Sequence, residues 1–179
     1  MTTARILIAG VGNIFLGDDA FGVEVAQRLL RRRLPKSVRV VDFGIRGVDL
    51  MYAFADGYET VILVDAASRG DPPGTLYIIE PDVRPSWHES LEPELSDMHS
   101  LDPASVLRMA QTLGKTSPKV LLVACEPQPA SDGGDPPIGL SPPVQRAVDE
   151  AVRVVRSTVA RLLRSHRSRP PRPQTATAT

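Results

Sequence analysis

Short, densely apolar runs alternate along this chain with stretches whose apolar residues recur every three or four positions. Arg5 to Ala9 (RILIA), Val38 to Asp42 (VRVVD), Thr60 to Asp65 (TVILVD) and Lys119 to Cys125 (KVLLVAC) are too continuously apolar for one-sided burial. They suit strands covered on both faces, as in a parallel sheet. Phe21, Val25 and Leu29, with Ala26 and Leu30 beside them, predict an amphipathic helix from Asp18 onward. Val48, Met51, Tyr52 and Ala55 predict a shorter helix, Val106, Leu107 and Ala110 one over about Asp102 to Leu113, and Val144, Val148, Ala151, Val155, Val159 and Leu162 a last one over Pro143 to Arg164.

Strand, loop and helix in repetition imply parallel strands joined by crossovers. One step departs from this pattern. Only AASRGDPPG separates Asp65 from the run Thr75 to Glu80, and a parallel crossover needs about a dozen residues or more, so the fourth strand is expected to be antiparallel. The expectation is a single α/β domain over residues 1–164 with a sheet of about five strands. Residues 81–100 carry little periodicity and read as a long irregular connection. SHRSRPPRPQTATAT, residues 165–179, has no large apolar residue to offset its ordering entropy and reads as a disordered basic, proline-rich tail.

Composition narrows the function classes. At 179 residues and 42% hydrophobic, the chain is sized for one domain with a substantial core. Its 21 basic and 21 acidic residues balance, and three of the arginines (Arg167, Arg169, Arg172) fall in the tail, so nucleic acid is not an expected partner. No apolar run approaches the roughly 18 residues of a membrane span, and Met1 to Arg5 leads straight into a strand, so no membrane association and a cytoplasmic location are expected. The single cysteine, Cys125, excludes an internal disulfide and agrees with a reducing compartment.

The candidate chemistry gathers where the strands end. GVGNIFLGDD follows the first strand, at the end where open α/β sheets place their ligands. A dinucleotide fingerprint would need glycine at Phe15, and a phosphate loop would need a lysine and hydroxyl that are missing, so no cofactor-binding residues are assigned. Asp18 is placed to cap its helix, whereas Asp19 is less needed there and reads as a solvated acid or a ligand. Asp42 closes the second strand and Asp65 the third, bringing three carboxylates to one crevice. His99, in SDMHSLD, is positioned to reach the same mouth. Two carboxylates and an imidazole suit a borderline divalent metal such as nickel or zinc. Pairing Cys125 with His99 would instead give a thiol hydrolase, but a cysteine ending an apolar strand is usually a small buried hydrophobe.

Five blocks in order, GVGNIFLGDDAFG, DFGIRG, VILVDAA, DMHSLDPASVL and IGLSPPV, resemble the landmarks of the endopeptidases that mature nickel-iron hydrogenases. The resemblance covers residues 5 to about 163 and leaves out the tail and the insert 127–137. It implies a three-layer α/β/α sandwich, phosphorylase/hydrolase-like, whose five-stranded, mostly parallel twisted sheet has one antiparallel strand. It also implies an aspartic-type, nickel-dependent endopeptidase that removes the carboxyl-terminal extension of a hydrogenase large-subunit precursor once nickel is inserted. By the same resemblance Asp19 and Asp65 are catalytic, Asp19, Asp65 and His99 contact nickel supplied by the substrate, and Asp42 and Gly44 lie in a substrate-selection loop. The family position at Asp19 takes Asp or Glu. A metal-binding or chaperone module for hydrogenase assembly, without proteolysis, is the alternative.

Overall fold

The computed structural model describes residues 5–80, 118–129 and 138–167. Five strands form one sheet: β1 (Ile6–Val11), β2 (Val38–Gly44), β3 (Thr60–Ala66), β4 (Leu76–Ile79) and β5 (Lys119–Cys125), in the order β2-β1-β3-β5-β4. β1 pairs in parallel with β2 and β3, and β3 in parallel with β5. β4 runs antiparallel to β5, as the short connection required, with Leu76 opposite Cys125 and Ile79 opposite Leu122. Just past β4, Glu80 and Lys119 form an ion pair of 2.9 Å.

Both faces of the sheet are covered, which is why its strands read as continuous apolar runs. Ile6, Ile8, Ile62, Val64, Leu121 and Val123 face one side, against α1 (Phe21–Leu30) and α3 (Pro142–Arg167). Leu7, Ala9, Val61, Leu63 and Val120 face the other, against α2 (Gly47–Ala55). Successive side chains alternate between two dry layers, the three-layer α/β/α arrangement expected.

Three expected details are corrected. The first helix does not start at Asp18: a 3₁₀ turn, Gly17–Ala20, precedes α1, and Leu30 points outward while Phe21, Val25, Ala26 and Leu29 are buried. α2 buries Leu50 and Phe54, leaving Val48 and Tyr52 exposed. Its sequence, GVDLMYAFA, is apolar on several sides, so the larger pair wins the core at about 1.5–3 kcal/mol per fully buried side chain. α3 continues to Arg167, three residues past the expected end, and buries Val144, Val148, Ala151, Val155, Val159 and Leu162. The connection 81–100 and the helix over about 102–113 lie outside the described residues.

Candidate active site

The site is framed where β1 and β3 end. β1 lies between β2 and β3, so the chain leaves it toward one neighbour and later returns on its other side, opening a crevice at the carboxyl ends. Glycine permits the close packing there. A Cβ on Gly22 would meet the carbonyl oxygens of Val64 at 2.0 Å and Val11 at 2.3 Å, so the first turn of α1 rests directly on the ends of β3 and β1. Gly12, at φ +129°, would place a Cβ 1.8 Å from the carbonyl oxygen of Asp19. The Gly12 amide also donates to the Gly44 carbonyl at 3.1 Å, tying the loop after β1 to the end of β2.

The adjacent acids have opposite surroundings. Asp18 is 9% exposed, and its carboxylate caps nothing in its own helix. Instead Oδ1 accepts from the Ser141 amide at 2.6 Å, and Oδ2 from the Ser141 hydroxyl and the Gln128 amide, each at 2.8 Å. Ser141 immediately precedes α3, whose first two residues are Pro142 and Pro143 and offer no N–H, so Asp18 meets the positive end of a helix far away in sequence. The expected cap of α1 is thus a tertiary clamp. Asp19 is half-buried, and its Oδ2 accepts from the Asn13 amide at 2.6 Å. Its Oδ1 has no hydrogen-bond partner among the described residues.

Asp65 is the last residue but one of β3, 8% exposed, beside Ala124 of β5, with Oδ1 accepting from the Ala66 amide at 2.8 Å. Its backbone follows Val64, the partner of Gly10, so Asp65 flanks the crevice across from the loop carrying Asp19. Asp42 sits opposite Gly10 in β2, with Oδ2 3.4 Å from Gln27 Nε2 on α1, while its carbonyl accepts from Arg46. The DFGIRG loop is held by that contact and by the bond between Arg46 Nε and the Phe43 carbonyl at 3.1 Å. His99 lies outside the described residues, and among those described no three His, Cys, Asp or Glu side chains form a cluster able to hold a metal ion. A cavity of about 280 Å³ between β2 and α2, lined by Phe43, Arg46, Asp49, Tyr52 and Tyr58 among others, includes none of these carboxylates.

One functional-end residue escaped the sequence reading. Glu126, 4% exposed, follows β5 and accepts from the Arg69 amide at 2.8 Å, the Gly70 amide at 3.1 Å and the Tyr77 hydroxyl at 2.7 Å. The Tyr77 hydroxyl above all, then the loop amides, hold its carboxyl below the usual range in spite of burial. Burial, and then the same contact and Asp71, push the Tyr77 phenol up. Glu126 thereby staples the chain leaving Asp65 to the end of β5. The available signal was that VLLVACE ends on a carboxylate just as TVILVD does. Between the two buried acids, the Cys125 thiol is fully buried and pushed up to about 12 by burial, then by Asp18 and Glu126. A thiol so placed is not an activated nucleophile.

Comparison with known proteins decides the family. The family model described as hydrogenase maturation protease matches residues 23–158. The chain belongs to the hydrogenase maturation protease family. The hydrogenase 2 maturation protease of Escherichia coli is 32% identical over 153 residues, covering 84% of this chain and 88% of its own. The hydrogenase expression/formation protein HupD of Rhodobacter capsulatus is 30% identical over 155 residues, 86% of this chain and 72% of its own. Among solved structures, the hydrogenase maturating endopeptidase HybD from E. coli matches with a TM-score of 0.69 at 32% identity, covering 88% of this chain and 93% of that one. This is the family that the five ordered blocks resemble, and the fold is its fold.

Proposed function

We propose that this chain is an endopeptidase that removes the carboxyl-terminal extension of a nickel-iron hydrogenase large-subunit precursor, and that it acts after nickel has been inserted into that precursor. What supports the reading is the placement of Asp19 in the loop after β1 and of Asp65 at the carboxyl end of β3, next to β1 in the sheet, together with a rim of exposed apolar side chains. Ile14, Phe15 and Leu16 follow β1, Ile45 follows β2, and Phe15 and Ile45 are 69% and 72% exposed. Large apolar residues clustered in water mark a surface that meets another protein.

The ion is treated as part of the substrate. Carboxylates supply hard oxygen donors, which compete poorly for nickel against a thiolate-rich centre, so the protease would be metal-free at rest and recognise nickel already in place. Asp19, with one oxygen unpaired among the described residues, is suited to contact that ion, and His99 joins it by resemblance. A carboxylate of the pair takes the proton from water as its oxygen attacks the scissile carbonyl carbon. Returning that proton to the departing amide nitrogen completes hydrolysis. Asp42 and Gly44 lie at the end of β2, where the Gly44 carbonyl is joined to Gly12, and substrate selection is assigned to this strand end and the loop that follows it.

The test gives the purified full chain an extended large-subunit precursor in nickel-loaded and nickel-free forms and follows the extension by mass. Cleavage of the loaded form only, abolished by Asp65→Asn and by His99→Ala, is the expected result. The carboxamide in Asp65→Asn retains the oxygen that accepts from the Ala66 amide, so this variant should remain folded, as its thermal unfolding will show. Equal cleavage of both forms rejects the nickel requirement. Binding that leaves the precursor at full length indicates a chaperone.

A further inference from the structure

We infer that Asp18 is a positioning residue for Asp19, setting the direction of the neighbouring carboxylate by locking the 3₁₀ turn that carries both. The inference rests on the peptidase reading only for its effect on turnover. Side chains of consecutive residues in a 3₁₀ turn diverge by about 120°, because three residues complete a turn. Fixing one therefore fixes the other. Asp18 points inward, where three hydrogen bonds join it to Gln128 beyond β5 and to Ser141 ahead of α3. Asp19 points away from that clamp and bonds the Asn13 amide in its own loop.

The other contacts at the middle of the turn are made by its backbone: the Asp19 carbonyl packs on Gly12, and the Asp19 amide donates to the Leu16 carbonyl at 3.1 Å. Neither Leu16 before it nor Ala20 at the start of α1 makes a side-chain capping bond, and Ile14, Phe15 and Leu16 upstream are exposed. α1 secures its downstream end through Gly22. Among the described residues, the side-chain hydrogen bonds from this turn to other parts of the fold are the three of Asp18. A buried carboxylate meeting two amides and a hydroxyl leaves the turn one rotational setting, since any other would strand those donors without a partner.

Asp18→Asn tests this in the full, isotopically labelled chain. The carboxamide keeps the shape but presents an NH₂ group where donors converge from both sides. The Gln128 and Ser141 amides should lose protection from hydrogen exchange. The Asn13 amide resonance, which reports the Asp19 carboxylate without any substrate, should move from its wild-type position. Cleavage of the extended precursor should fall about 10- to 100-fold in kcat with KM held within about threefold, the pattern of a misaimed group and not of lost binding. Ser141→Ala removes one of the three donors and should shift the Asn13 resonance in the same direction by less. An Asn13 resonance unmoved in Asp18→Asn, or unchanged kcat once both amide protections are gone, overturns the inference. If Asp18→Asn does not fold, Ser141→Ala decides by the same readouts. A wild-type chain that cleaves no precursor defeats the peptidase reading instead, and the Asn13 comparison still decides the positioning.

Discussion

Gly22→Ala tests whether the seat of α1 on the sheet aims the site. The added methyl carbon would sit 2.0 Å from the Val64 carbonyl oxygen and 2.3 Å from that of Val11, with the Val11 nitrogen at 2.8 Å. All three are backbone atoms inside the sheet, so no side chain can swing away. Cβ atoms stay at least 3.0 Å from such neighbours, and α1 must back off by about 1 Å. Forced overpacking of this kind costs roughly 1–3 kcal/mol, or roughly 2–12 °C in Tm for a domain of this size. Because the turn with Asp18 and Asp19 runs directly into α1, the same displacement carries Asp19 away from Asp65. A misplacement of that size can lower turnover about 100-fold. The assay pairs thermal unfolding with cleavage of the precursor, using Gly57→Ala as the control. Gly57, at φ +80° with nothing within 4 Å of the Cβ that alanine would add, precedes β3 at the end away from the crevice. Alanine there should cost roughly 1–2 kcal/mol through left-handed strain and leave kcat unchanged. If Gly22→Ala retains wild-type kcat while losing as much stability as the control, the helix seat does not position the site.

Glu126 makes stability depend on acid. Its folded pKa lies below the ordinary 4.5, so its stabilisation is complete above about pH 4.5 and is lost as pH falls through the folded value. Glu126→Gln should lower Tm at neutral pH, with the gap from wild type narrowing on acidification, and a gap independent of pH would refute the assignment. At the rim, Phe15→Ser and Ile45→Ser should leave Tm unchanged, because both side chains are already in water, and raise KM for the precursor; unchanged KM would remove the apolar rim from substrate docking.

The sheet was legible because β1, β3 and β5 are dry on both faces, and a run such as TVILVD has few other uses in a small domain. The reversed strand was legible from chain length alone. What escaped depended on contacts distant in sequence. Asp18 looks like a helix cap until its partners, 110 and 123 residues away, are in view. Glu126 opens a segment rich in proline, glycine and aspartate, whose composition hides one buried charge. The face of α2 could not be chosen by periodicity, since Val48 and Tyr52 have the same spacing as Leu50 and Phe54. Asp19 and Asp65 were legible as strand-end acids, whereas His99 lies outside the described residues.

The reversal of β4 also governs how chain length can vary in this protein. Because β4 runs against β5, the chain leaves the sheet and re-enters it at the same corner, where Glu80 and Lys119 stand 2.9 Å apart. The connection between the two strands therefore begins and ends at one corner of the sheet. Lengthening a detour whose two ends already meet costs only about 0.6 kcal/mol per doubling, and it puts no tension on the strands at its base. Glu80 and Lys119 stand at the amino end of β5, whereas Asp65 and Glu126 stand at the opposite end of the sheet. Insertions and deletions between Glu80 and Lys119 therefore leave the strand-end acids and the core as they are.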